Sequence, residues 1–116
     1  MKLEREMMRG AGPAAVLALL SGGEKYGYEL VEALRQQSDG VLAMGQSTLY
    51  PMLYNLEAKG LVAARVDESG PRSRRYYRLT RQGEKKLAND RQQWAALVDA
   101  LRMLGIVPAP AAGGTS

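Results

Sequence analysis

Apolar residues recur along this chain with two periods, and the changes of period divide it into four helices and one hairpin. At the N-terminus Met7 and Met8 follow Leu3 by four and five residues, part of a helical face that Gly10 and Gly12 then interrupt. Residues 1–12 therefore read as an N-terminal arm, either packed on another element or frayed. Helix one is expected from Pro13, a residue suited to the first helical position, with Gly12 as a weak cap. Val16, Leu17, Leu19 and Leu20 make it apolar nearly all round, a core helix that stops at Ser21-Gly22-Gly23. Helix two, over residues 24–37, carries Tyr26, Leu30 and Leu34 at intervals of four, with Glu29, Glu32 and Arg35 outside. Ser38-Asp39-Gly40 ends it, and the connection that follows is longer than a tight helix-turn-helix turn.

Helix three begins near Ser47, a good N-cap residue, with its start placed within Gln46 to Thr48 so that Pro51 lies in or just after the first turn, where little hydrogen bonding is lost. Leu49, Met52, Leu53 and Leu56 form its inward stripe, and Gly60 closes it behind Lys59. Residues 61–66 then read as a strand, 67–71 as a turn and 73–80 as the return strand. Alternation places Arg74, Tyr76 and Arg78 on its outer face, and Tyr77 and Leu79 toward the core. A last helix starts with Thr80 as N-cap, passes Gly83 as a weak point and runs to about Leu104, some 36 Å at 1.5 Å per residue. Its stripe of Leu87, Trp94, Leu97, Val98, Leu101 and Leu104 is near heptad spacing and longer than one small domain can cover. A second copy pairing along it, as a two-fold homodimer, is the economical solution. Residues 106–116, rich in Ala, Pro and Gly, read as a disordered tail. The fold class is mainly α with a small β-hairpin.

The polar positions supply the chemistry. Helix three turns outward Thr48, Tyr50, Pro51, Tyr54, Asn55 and Lys59, a face short of acids. Hydroxyl, amide and ammonium groups of this kind donate to phosphates, and asparagine can bond an adenine edge bidentately. The same pattern also describes an ordinary surface helix. Between Arg72 and Lys86 lie seven basic residues and one acid, so a chain of net charge +4 is slightly acidic everywhere else. Such a local positive field suits a polyanion. A solvated face, or an edge strand protected by charge, accounts for one or two of these arginines better than for the cluster.

Composition removes other functions. With no cysteine and no histidine, disulfides, thiolate metal sites and the commonest general base are absent. An enzyme is not expected, nor a metal or cofactor. No apolar run approaches the roughly 20 residues of a membrane span, and the first residues lack a signal-peptide core, so the expectation is a cytoplasmic protein.

Five motifs in order carry a resemblance: Leu-Ala-Leu-Leu at 17–20, Tyr-Gly-Tyr-Glu-Leu at 26–30, Ser-Thr-Leu-Tyr-Pro-Met-Leu at 47–53, Leu-Glu-Ala-Lys-Gly-Leu-Val at 56–62 and Arg-Arg-Tyr-Tyr-Arg-Leu-Thr-Arg-Gln-Gly at 74–83. Over about residues 8–105 the chain resembles the PadR family of bacterial transcriptional regulators, in particular the short members with one C-terminal helix. The resemblance implies a winged helix-turn-helix over 13–80, a dimerisation helix over 81–105, and repression through a pseudo-palindromic operator in double-stranded DNA. It places Ser47, Thr48, Tyr50 and Pro51 at the start of the recognition helix and Arg74, Arg75 and Tyr76 in the wing. Arg72 and Arg78 extend the basic wing, and Asn55 departs from the basic residue frequent at its position. Some family members respond to phenolic acids or flat hydrophobic drugs, and Trp94 matches a position where an aromatic stacks on such an effector between subunits. Its apolar spacing with Leu87 and Leu101 equally fits a dimer-core role. A rival of another class is a winged-helix protein-interaction adaptor that does not bind DNA, against which the basic cluster argues.

Overall fold

In the computed structural model, which describes residues 1–109, the element order is α1 (Arg5–Leu20), β1 (Lys25–Tyr26), α2 (Gly27–Gln37), α3 (Gln46–Ala58), β2 (Val62–Asp67), β3 (Arg74–Leu79) and α4 (Arg81–Met103). The three strands form one antiparallel sheet in the order β1-β3-β2. The expected hairpin is β2–β3, with Val62 opposite Leu79 and Asp67 opposite Arg74. Its core-facing side is the one alternation assigns: Tyr77 is buried, and Leu79 packs against the core. That core joins Val16, Leu17 and Leu20 of α1, Leu30 and Leu34 of α2, Leu49, Leu53 and Leu56 of α3, and Val62 of β2.

Two element boundaries and one cap differ from those read off the sequence. Helix α1 starts at Arg5, with Pro13 inside it, so most of the expected arm is helix. The proline forfeits one backbone bond and crowds the preceding turn. The added turns are held because Met8 packs against the core and Gly12 is buried beside Met52 of α3. Residues ahead of α2 form β1, pairing Lys25 with Tyr77 and Tyr26 with Tyr76, and α2 begins only at Gly27. The Glu29 carboxylate there accepts the Tyr26 N–H at 3.0 Å, satisfying a donor at the helix start. The N-cap of α3 is Gly45 rather than Ser47, and Gly45 O accepts from Thr48 and Leu49 N–H at 3.1 and 3.0 Å. The helix itself starts at Gln46, within the expected range, and Pro51 falls just after the first turn, where it costs the Ser47 carbonyl its helical partner.

The exit from α3 fixes both wing and last helix. Gly60 (φ +75°) ends α3 in a Schellman turn, its N–H on Glu57 O at 2.9 Å and Leu61 N–H on Leu56 O at 2.9 Å. Thr80 caps α4, accepting from Gly83 N–H at 3.0 Å while its hydroxyl donates to Gly60 O at 2.6 Å. A Cβ at Gly83 would lie 2.0 Å from Leu61 O. Gly83 is therefore the contact point at which α4 presses on the hairpin, not merely a weak place in a helix.

Beyond that contact α4 leaves the domain. Only Gly83 and Leu87 of it are buried. Leu87, expected in the dimer stripe, is 3% exposed and belongs to the chain's own core. Of the rest of the stripe, Trp94, Leu97 and Leu104 are 37%, 45% and 77% exposed, and Val98 and Leu101 are half-buried. At 1.5 Å per residue the 23 residues make a rod of about 35 Å, which draws the molecule out to 52 × 30 × 27 Å. The Ile106 N–H still bonds Leu101 O at 2.8 Å, whereas residues 110–116 of the expected tail lie outside the described residues. Among the described residues, no helix is long and apolar enough to cross a membrane.

Candidate nucleic-acid interface

Helical spacing divides the surface of α3 into a centre and two flanks. Leu49, Leu53 and Leu56 face the core, so the opposite face centres on Ser47, Pro51, Tyr54 and Asn55, all exposed. Tyr54 stands out furthest, 72% exposed. Toward the wing lie Gln46, Tyr50 and Glu57; toward α1 lie Thr48, Met52 and Lys59. The sequence-assigned residues of α3 thus share one continuous surface. Its acid, Glu57, is turned aside and occupied by Arg75, whose Nη2 donates to both carboxylate oxygens at 3.0 Å.

The wing side is an open cleft of about 690 Å³ between the start of α2, the start of α3 and the hairpin. Tyr26, Tyr28, Tyr50 and Gln46 line it together with Arg72 and Arg74. The Tyr50 hydroxyl lies so near Gly27 that a Cβ there would approach it to 2.5 Å, which locks the tyrosine against α2. Arg74 lies over the Tyr26 ring, its Cζ 4.6 Å from the centroid, and Tyr26 meets Tyr76 edge-on at 5.5 Å. Arg65 covers the other side of Tyr76 at 4.6 Å and forms an ion pair with Glu24. That pair holds the Glu24 carboxyl below its ordinary value, chiefly through the Arg65 hydrogen bond, and raises Arg65. Cation–π contacts of this kind contribute roughly 0.5–1 kcal/mol each at exposed sites. Arg74, Tyr26, Tyr76 and Arg65 therefore brace β3 against its neighbours on both sides.

The expected wing arginines consequently separate into different settings. Arg72 and Arg74 face the cleft beside Tyr50. Arg75 spans from the wing to Glu57 of α3, with its guanidinium 5.7 Å from the Tyr77 ring centroid. Arg78 lies at the other end of β3 from Arg74, in a groove with Glu24, Glu84 and Arg91 that no residue of α3 lines. Tyr76 is half-buried within the stack. Sequence reasoning missed Tyr28, Gln46 and the Arg65–Glu24 pair. A two-residue strand is too short to show alternation, so the spacing of Tyr26 with Leu30 and Leu34 reads as helix core instead. No cluster of metal-ligating side chains occurs among the described residues.

Comparison with known proteins agrees with this architecture. The model of the transcriptional regulator PadR-like family matches residues 16–89. Transcriptional regulator Rv3488 of Mycobacterium tuberculosis is 33% identical over 111 residues, covering 96% of this chain and 99% of the relative. The crystal structure of a PadR family transcriptional regulator from Eggerthella lenta superposes with a TM-score of 0.77 at 35% identity, covering 85% of each chain. Bacillus subtilis PadR, crystallised in complex with operator DNA, gives a TM-score of 0.62 at 27% identity. That match spans 66% of this chain but 43% of the longer one.

Proposed function

The chain belongs to the PadR-like family of transcriptional regulators, and from that premise we propose that it is a homodimeric repressor that binds a pseudo-palindromic operator through α3 and the β2–β3 wing. It is a regulator rather than an enzyme. The observation that carries the DNA-binding reading is the surface of α3: an exposed Ser47–Pro51–Tyr54–Asn55 centre whose neighbouring acid is already neutralised by Arg75, beside a cleft walled by Arg72 and Arg74. An α-helix enters a major groove about 12 Å wide, and hydroxyl and amide groups on it reach base edges and phosphates there. A neighbouring protein of the same fold is crystallised on operator DNA.

The dimer is supported by the stripe Trp94–Leu97–Val98–Leu101–Leu104 on α4, of which Trp94, Leu97 and Leu104 are exposed, since a lone helix with this much exposed apolar surface needs a partner. A small hydrophobic or aromatic effector would enter the same seam and reach Trp94, the chain's single tryptophan. Titrating a random-sequence duplex at several salt concentrations tests the reading. Binding should weaken steeply with salt, and Arg74→Ala should flatten the slope by about 0.9 for each phosphate left unneutralised. A protein that ignores duplex DNA even in dilute buffer would be an adaptor instead.

A further inference from the structure

A helix lying in a major groove has a sugar-phosphate strand on each side, and the wing can serve only one of them. The other flank of α3 faces α1. There the first turns of α1 and the side of α3 enclose a groove of about 460 Å³, whose rim carries Arg5 and Arg9 from α1 and Thr48, Asn55 and Lys59 from α3. No carboxylate lines it among the described residues. Arg5 and Arg9 are exposed, four residues apart on one helical face, and neither they nor Lys59 forms a salt bridge among the described residues. Of the adjacent acids, Glu4 is the N-cap of α1 and Glu6 lies three residues before Arg9; neither lines the groove nor forms a salt bridge among the described residues.

The placement of these arginines is set by packing. A Cβ on Gly12 would come within 2.7 Å of Met52 Cε and 3.3 Å of its Sδ, so the Met52 side chain of α3 seats on α1 here. One turn earlier, Met8 packs against the core. The next positions outward on the α3 side are Arg9 and Arg5. The extension of α1 through Pro13 thus has a consequence: it carries two free cations to the flank of α3 opposite the wing.

Resting on the DNA-binding reading above, we infer that the first two turns of α1 are a third DNA-contacting element. Arg5 and Arg9, with Lys59, take phosphates of the strand opposite the one the wing follows. The recognition helix is then gripped on both sides, and Asn55 and Tyr54 are held at a fixed depth between two cationic rails.

The test is the salt dependence of duplex binding for the full chain, its Arg5→Ala/Arg9→Ala variant and its Arg5→Lys/Arg9→Lys variant. The alanine pair should reduce the salt slope by about 0.9 per arginine, about 1.8 per subunit, and the lysine pair should keep the wild-type slope. An alanine variant whose affinity falls with the slope unchanged, or whose binding is unaltered, overturns the inference while leaving the DNA-binding reading intact. A wild-type chain with no salt-dependent binding overturns both.

Discussion

Leu87 and Trp94 stand one heptad apart on the same helix, yet they belong to different interactions. Leu87 is closed into the core of its own chain, and Trp94 lies on the open stripe beyond. Leu87→Ala should therefore lower the stability of the folded domain by about 2–5 kcal/mol, the range for emptying a buried leucine site. Trp94→Ala should leave that domain folded and raise the protein concentration at which subunits separate. Urea unfolding and sedimentation of the two variants check the assignment; equal effects of both on self-association would contradict it. The heptad spacing that joins them in the sequence is real, but spacing records only the face of a helix. Which body covers each part of that face depends on where the domain ends, here one turn past Gly83. The wing shows the same limit. Arg74 and Arg75 are neighbours in sequence, and alternation separates their faces, but the tie of Arg75 to Glu57 follows from the approach of β3 to α3.

At the scale of elements, the best-marked boundaries are those with their own chemistry. Gly60, with its positive φ, and Thr80, with its capping hydroxyl, stand in the structure in the roles their residue types suggest. Gly83 reads differently in context. In an isolated helix, replacing it with alanine would stabilise by up to about 1 kcal/mol. Here the added methyl meets the Leu61 carbonyl and Leu79 Cδ2, so α4 must move off the hairpin. Gly83→Ala should instead destabilise by about 1–3 kcal/mol, the usual cost of overpacking; a raised urea midpoint would refute the close approach. The extension of α1 and the strand β1 are not legible in the sequence. Pro13 has two compatible positions, the first turn or a tolerated break, and only the burial of Met8 and Gly12 against other elements selects the second. Strand β1 exists because β3 offers it an edge.

For the whole molecule, the compact part is a three-helix core with a small sheet, and α4 extends from it as a largely polar rod with one apolar stripe. The mainly α fold with one hairpin is legible because each helix has its own stripe and stop signal. The flanks of α3 are not, because they are assembled from α1, α2 and β3 as well. The proposed function joins two halves: α4 would pair two subunits, and each subunit would present α3 between cationic flanks. Two-fold symmetry then requires a two-fold target, with half-sites about one helical turn, roughly 10 base pairs, apart or at a multiple of that. Selection of bound sequences from a random duplex library measures this directly. The recovered sites should share an inverted repeat at that spacing; recovery of a single, unrepeated half-site, or of no common sequence, would contradict the paired arrangement.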